Sequence, residues 1–227
     1  MIKAKVNKEP RISVNKLGEY LTSNNPSRRR KILEEQKYPN KGFGGTRYKE
    51  AREAIIKFII NGYDESYIAD AQKIIKAKLA VSEYEKSDKS SSLEVLEAIL
   101  SSNLPDFKGA KLSRYKGKNP KVIISNVAIS IKPDITVKYK KKIGSIKVHI
   151  IKSNKLNSEG QKYVATLLHQ FSEKNLVNTN YPKADTKLSV SIECFGKTHE
   201  VAPKAVSRRN SKIEDACKEI DSLWASL

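Results

Sequence analysis

Apolar residues recur at helical spacing through the first hundred residues and at alternate positions through much of the rest. In the first part, Ser13 or Asn15 can cap a short helix through Leu21, and Asn25-Pro26-Ser27 opens a second over Arg28–Lys37, with proline at a permitted first-turn position. Ala51, Ala54, Ile55, Phe58 and Ile59 follow the spacing of an amphipathic helix that Asn61-Gly62 ends, and Tyr67, Ala71, Ile74, Ile75 and Leu79 repeat it. The polar, serine-rich run Lys86–Ser92 reads as a flexible connector, after which Ser92 caps a helix carrying Leu93, Leu96, Ile99 and Leu100.

From residue 104 the period changes. Residues 104–120, with Pro105, Gly109, Gly117 and Pro120, read as a basic loop. Three half-buried strands follow, marked by Val127/Ile129/Ile131, Ile135/Val137/Tyr139 and Ile146/Val148/Ile150. Tyr163 to Phe171 then returns to helical spacing, and Leu188/Val190/Ile192 make another strand, with Gly196-Lys197 turning into a short partner. Ile213 to Trp224 forms a closing amphipathic helix. The fold class is α+β: a helical region over 1–85, a connector over 86–91, and a domain over 92–227 whose αβββαβ core is a mixed sheet flanked by helices.

Composition narrows the partner. An apolar fraction of 38% with 30% charged residues argues against wholesale disorder. Forty-four Lys and Arg against 25 Asp and Glu leave a net charge of +19, more than solubility needs, which favours a polyanion such as DNA or RNA. Two cysteines, Cys194 and Cys217, give neither a disulfide framework nor a zinc spacing. Residues 1–5 have no apolar stretch after their charges, and Ala54–Ile60 is too short to span a bilayer, so the expected location is the cytoplasm with no membrane partner.

The charge is unevenly placed. Residues 104–155 hold 14 Lys and Arg but only Asp106 and Asp134, a net +12. Asp134 falls inside a predicted strand, directly after Pro133, where both residues are disfavoured. Pairing the strands around Lys140-Lys141-Lys142 with Ile135 opposite Val148 and Val137 opposite Ile146 matches the apolar sides. That register sets Asp134 opposite His149, with Lys147 its diagonal neighbour. A carboxylate beside a lysine can hold a divalent metal while the ammonium orients water or stabilises phosphorane charge.

Pro133-Asp134 followed by Ser145-Ile146-Lys147, together with the element order over 92–195, resembles the PD-(D/E)XK nuclease superfamily. The resemblance implies Mg2+ held at Asp134 and a water-assisting role for Lys147. Ser145 stands where that superfamily has its second acid, so one metal ligand of the set is missing. Some members recruit a glutamate from the preceding helix, which points to Glu97 or, more peripherally, Glu94. Gln161 and Tyr163 match the later-helix motif of some members only in residue type.

Simpler readings stand beside these. Asp134 can serve as a cross-strand ion pair with Lys147 or His149, His149 as a polar-face residue, and His169 as a helix-flank histidine; His199 follows a turn. Three basic groups are candidates for phosphate contact or for solvated faces: Arg28, Arg29, Arg30 and Lys31; Arg47 and Arg52 with Tyr48; and Arg114, Tyr115, Lys116 and Lys118. Lys140, Lys141 and Lys142 form a basic turn. Gly42–Gly45 lacks the Gly-Lys-Ser/Thr ending of a phosphate loop. Function takes three forms: nucleic-acid binding on a nuclease-like scaffold, with Mg-dependent phosphodiester cleavage at Asp134, Lys147 and Glu97 left open; a non-catalytic nucleic-acid-binding subunit of a larger nucleoprotein or defence complex; and a DNA-binding regulator using the Arg28–Lys31 helix.

Overall fold

Capping side chains set most helix starts. In the computed structural model, which describes residues 6–39, 47–118 and 120–227, strand β1 (Arg11–Ser13) runs into α1 (Val14–Thr22), whose N-cap Ser13 Oγ accepts from the Lys16 amide at 3.4 Å. Asn25 Oδ1 accepts from the Arg28 amide at 3.2 Å and opens α2 (Pro26–Lys37). Helices α3 (Lys49–Ile60) and α4 (Ser66–Ala77) follow the expected apolar spacing, although Ile74 and Leu79 are exposed. Gly42–Gly45 and the first five residues lie outside the described residues.

The connector over 86–91 is overturned. Those residues are the interior of α5 (Glu83–Leu100), and Ser92 is a buried mid-helix residue rather than a cap. A capping box explains the earlier start: the Glu85 amide donates to Ser82 Oγ at 3.2 Å, and the Ser82 amide donates to Glu85 Oε2 at 2.9 Å.

Strands β2 (Lys111–Arg114), β3 (Lys121–Ile124), β4 (Val127–Ser130), β5 (Ile135–Tyr139) and β6 (Lys142–His149) come next. Helix α6 (Ser158–Asn175) leads to β7 (Lys183–Ala184), a 3-10 turn at Thr186–Leu188, β8 (Val190–Glu193), β9 (Thr198–Val201) and α7 (Ser207–Trp224). The central sheet runs β2-β5-β6-β8-β9, with β7 beside β6, and β1-β4-β3 form a smaller sheet. The αβββαβ order is therefore α5-β2-β5-β6-α6-β8. Its first strand is β2, from the segment expected to be a loop, whereas β4 belongs to the small sheet. Only Leu112 in β2 packs on a core, so β2 is held mainly by its ladder to β5 and carried no alternation to read.

The β5–β6 register also differs from the expected one. Ile135 pairs with Ile146 and Val137 with Gly144, two residues from the anticipated pairing. A shift of two keeps every side chain on its face, so the hydrophobic pattern cannot tell the registers apart. The tight turn at Lys140-Lys141 decides, closing on Tyr139↔Lys142 with Lys140 at φ 51°. Gly144 has no alternative residue: a Cβ there would lie 2.3 Å from the Leu188 carbonyl oxygen, where the 3-10 turn crosses β6.

Two cores lie on either side of this framework. One packs α3, α4 and α5 on Ile135, Val137, Ile146, Val148, Val190 and Ile192. The other joins α1 and α2 to β4, α6 and α7. Each core draws residues from both sides of the expected division at 86–91, so the N-terminal helices are not a separate body. Trp224 completes the second core, its Nε1 donating to the Asn7 and Lys8 carbonyls at 3.2 and 3.1 Å.

Candidate functional site

The β5–β6 register sets Asp134, just before β5, directly opposite Lys147 rather than on its diagonal. Lys147 Nζ lies 3.5 Å from Asp134 Oδ2 and donates to the Lys132 carbonyl at 2.5 Å. The other carboxylate oxygen, Oδ1, accepts from the Arg52 guanidinium at 2.6 Å, and the Val148 amide donates to Oδ2 at 2.8 Å. Asp134 is only 9% exposed and Lys147 12%. Burial holds the Lys147 ammonium at a pKa of about 8, with Asp134 opposing that shift. The result is a largely dry carboxylate held by two cations and a backbone amide.

The other proposed members of the nuclease-like set are elsewhere. Glu97 is exposed on α5 and is not among the partners of Asp134, and Glu94 binds Lys152 at 2.5 Å. Ser145 is fully buried against Ser172 Oγ at 3.1 Å. Gln161 is buried, donating to Thr198 Oγ1 at 2.9 Å, and Tyr163 packs in the second core. A magnesium ion at Asp134 would have to displace Arg52 from Oδ1 and would gain one carboxylate. Among the described residues no group of three or more His, Cys, Asp or Glu is arranged to hold a metal.

His149 does not face Asp134. It lies beside Glu193 on β8, and both are buried. His149 Nε2 contacts the Asn154 carbonyl at 2.9 Å, and Glu193 Oε2 accepts from the Gly196 amide at 2.6 Å. His149 Nδ1 and Glu193 Oε1 have no partner among the described residues. Burial pushes the histidine down to about 4 and the glutamate up to about 7. The alternation in β8 marks Glu193 as facing away from the first core; what it could not reveal is that α6 covers that face.

The basic groups separate into committed and uncommitted cations. Arg28 pairs with Glu19 and Glu35, Arg29 pairs with Glu219 and lies 4.2 Å over the Tyr20 ring, and Arg30 meets Glu34 at 3.0 Å. These arginines tie α2 to α1 and α7, while Lys31 is exposed with no ion-pair partner among the described residues. Arg114 pairs with Glu53, and Tyr115 packs edge-on against Phe171 at 5.9 Å, so its ring is part of the core rim. Lys116 and Lys118 are exposed.

One group of uncommitted charge lies at the hairpin end of the central sheet. Of the 14 cations in 104–155, only Arg114, Lys142, Lys147 and Lys152 have a carboxylate partner among the described residues. Lys111 stands in register with Lys138, a like-charge pair on adjacent antiparallel strands, while Lys142, in register with Lys183, binds Asp185 at 2.6 Å. Like charges so placed destabilise a sheet. Lys140 and Lys141 project from the turn beside them, and two aromatics lie among these cations: Lys138 is 4.9 Å over the Tyr181 ring and Lys140 5.4 Å over the Tyr139 ring. Among the described residues no helix is long and apolar enough to cross a membrane. Compared with family models, curated proteins and solved structures, the chain matches none of them.

Proposed function

We propose that the protein binds nucleic acid through the hairpin end of its central sheet, without using Asp134 as a metal-dependent catalytic centre. The carrying observation is the in-register lysine pair Lys111↔Lys138 beside the exposed Lys140 and Lys141, none of which has a carboxylate partner among the described residues. A folded chain gains nothing from such repulsion, whereas a phosphate backbone laid across it relieves the repulsion and releases counterions. Tyr181 adds ring surface at the same place, a feature of single-strand recognition, while Tyr139 packs against the first core. Asp134 reads as the structural anchor of Arg52 and Lys147, which supports the role of a non-catalytic subunit. The regulator reading loses its main support, because Arg28, Arg29 and Arg30 are occupied by acids of the same chain.

A labelled oligonucleotide, single-stranded and duplex, DNA and RNA, titrated at several salt concentrations by fluorescence anisotropy tests this. With about four lysines on phosphates, affinity should fall roughly a hundredfold between about 50 and 200 mM salt. Salt-independent binding, or none in dilute buffer, removes the proposal. Phosphodiester cleavage remains the second reading, favoured by the 3.5 Å approach of Lys147 to Asp134. Incubation of the same substrates with Mg2+ or Mn2+ separates the two, since cleavage that disappears in Asp134→Ala with binding retained establishes the enzyme.

A further inference from the structure

At the opposite end of β6 from the lysine hairpin, the chain leaves the sheet along a cleft of about 900 Å3. Arg47, Arg52 and Lys152 line it, with the hydroxyls of Ser87, Ser91 and Ser153, and no carboxylate is among the lining residues. Arg47 is the unusual member. Its guanidinium donates to Ser87 Oγ at 3.1 Å and Ser91 Oγ at 3.4 Å and lies 5.2 Å over the Tyr48 ring, yet it meets no carboxylate among the described residues. Arg28, Arg29, Arg30, Arg52, Arg114 and Arg209 each have one, whereas Arg11 and Arg208, like Arg47, have none among the described residues. Two hydroxyls and a ring therefore hold a planar five-donor fork in place while leaving its charge unanswered.

We propose that this cleft is a phosphate-monoester site, taking the terminal phosphate of a polynucleotide or of a free nucleotide. Guanidinium forks match the oxygen spacing of phosphate, and the charge left for a ligand is that of Arg47, since Arg52 and Lys152 keep Asp134 and Glu94 as partners. Two of the four serines in 86–92 belong to this site: within α5, Ser87 and Ser91 lie one turn apart on the face that meets Arg47. The polymer form of the proposal rests on the nucleic-acid reading above; the free-nucleotide form does not.

Two measurements test it: calorimetric titration with a nucleoside 5′-monophosphate, and anisotropy of one oligonucleotide carrying either a 5′-phosphate or a 5′-hydroxyl. Wild type should bind the monophosphate, and Arg47→Ala should weaken that binding by about tenfold or more. Because Arg47 is exposed, its thermal midpoint should stay unchanged, and Arg47→Lys should fall between the two. A wild-type preference for the 5′-phosphate oligonucleotide that vanishes in Arg47→Ala identifies the polymer as the source; binding of the monophosphate without that preference identifies the free nucleotide. If neither ligand shows Arg47-dependent binding, the site is overturned. Salt-dependent binding of the 5′-hydroxyl oligonucleotide would then still leave the hairpin reading standing, and monophosphate binding without any oligonucleotide binding would remove the hairpin reading alone.

Discussion

The two ends of β5 and β6 treat positive charge in opposite ways. At the Asp134 end, Arg52 and Lys147 converge on one carboxylate that is almost removed from water. At the hairpin end, Lys111, Lys138, Lys140 and Lys141 have no acid partner among the described residues, and two of them are aligned in register. Burial accounts for the difference. A desolvated cation without a partner costs several kcal/mol, so the inner charges must be matched within the chain. An exposed lysine is hydrated and screened, so its repulsion is tolerable and its charge stays available to an outside partner. The same residue type is thus structural at one end of a strand pair and, on the proposed reading, recognitional at the other.

That contrast breaks most visibly at Asp134. Asp134→Ala would leave Arg52 and Lys147 facing each other and orphan the Val148 amide. Removing one partner of a buried ion cluster costs about 3–5 kcal/mol, and the partial exposure of Arg52 places this case near 3. Urea denaturation should register the loss as a lower midpoint at constant slope. A shift below about 1 kcal/mol would mean that the cluster is as well solvated as the hairpin, and the contrast would fail.

A subtler test uses the buried neighbours of that end. Glu193, raised to about 7, binds more protons folded than unfolded between its ordinary value and 7, so stability from this group falls as pH rises through that range. His149, lowered to about 4, does the reverse: the unfolded chain binds the extra proton, and stability rises with pH from 4 to the ordinary histidine value. The two slopes oppose each other over the shared window, and wild-type stability should be nearly flat there. Glu193→Gln should leave a rising curve and His149→Phe a falling one, each by at most about 1.4 kcal/mol per pH unit. Curves of the same sign would show that these groups do not titrate as buried neighbours.

Much of the fold was legible because periodicity reports which face of an element is buried. α1, α3, α6, α7, β5 and β6 all carry that signal. It reports parity, however, not absolute register: the pattern placed Asp134 and Lys147 on one face two strands wide, but only the Lys140-Lys141 turn makes them directly opposite. Serine-rich composition hid α5, because the signal for its start was the spacing of Ser82 and Glu85 rather than any apolar residue. The role of Arg52 was not readable at all, since 82 residues separate it from Asp134. Nor could alternation alone show that Glu193 is sealed under a helix. Local rules reach neighbours along an element, whereas the character of this site is set by what packs across it.

The smallest stability effect carries the most information about function. Replacing Lys111 with Gln removes one member of a like-charge pair and should stabilise the chain by a few tenths of a kcal/mol, up to about 0.5, whereas Lys138→Gln also loses the Tyr181 ring contact and should gain less. The same substitutions, and Lys140→Gln and Lys141→Gln, should each weaken nucleic-acid binding and reduce the slope of log affinity against log salt by about 0.9 on duplex or about 0.7 on single strand. Stability and binding thus move in opposite directions at this end, whereas Asp134→Ala is expected to lower stability with oligonucleotide affinity retained in the folded fraction. If the lysine variants lose stability and keep their salt slope, these lysines hold the sheet together and the polyanion surface lies elsewhere on the chain.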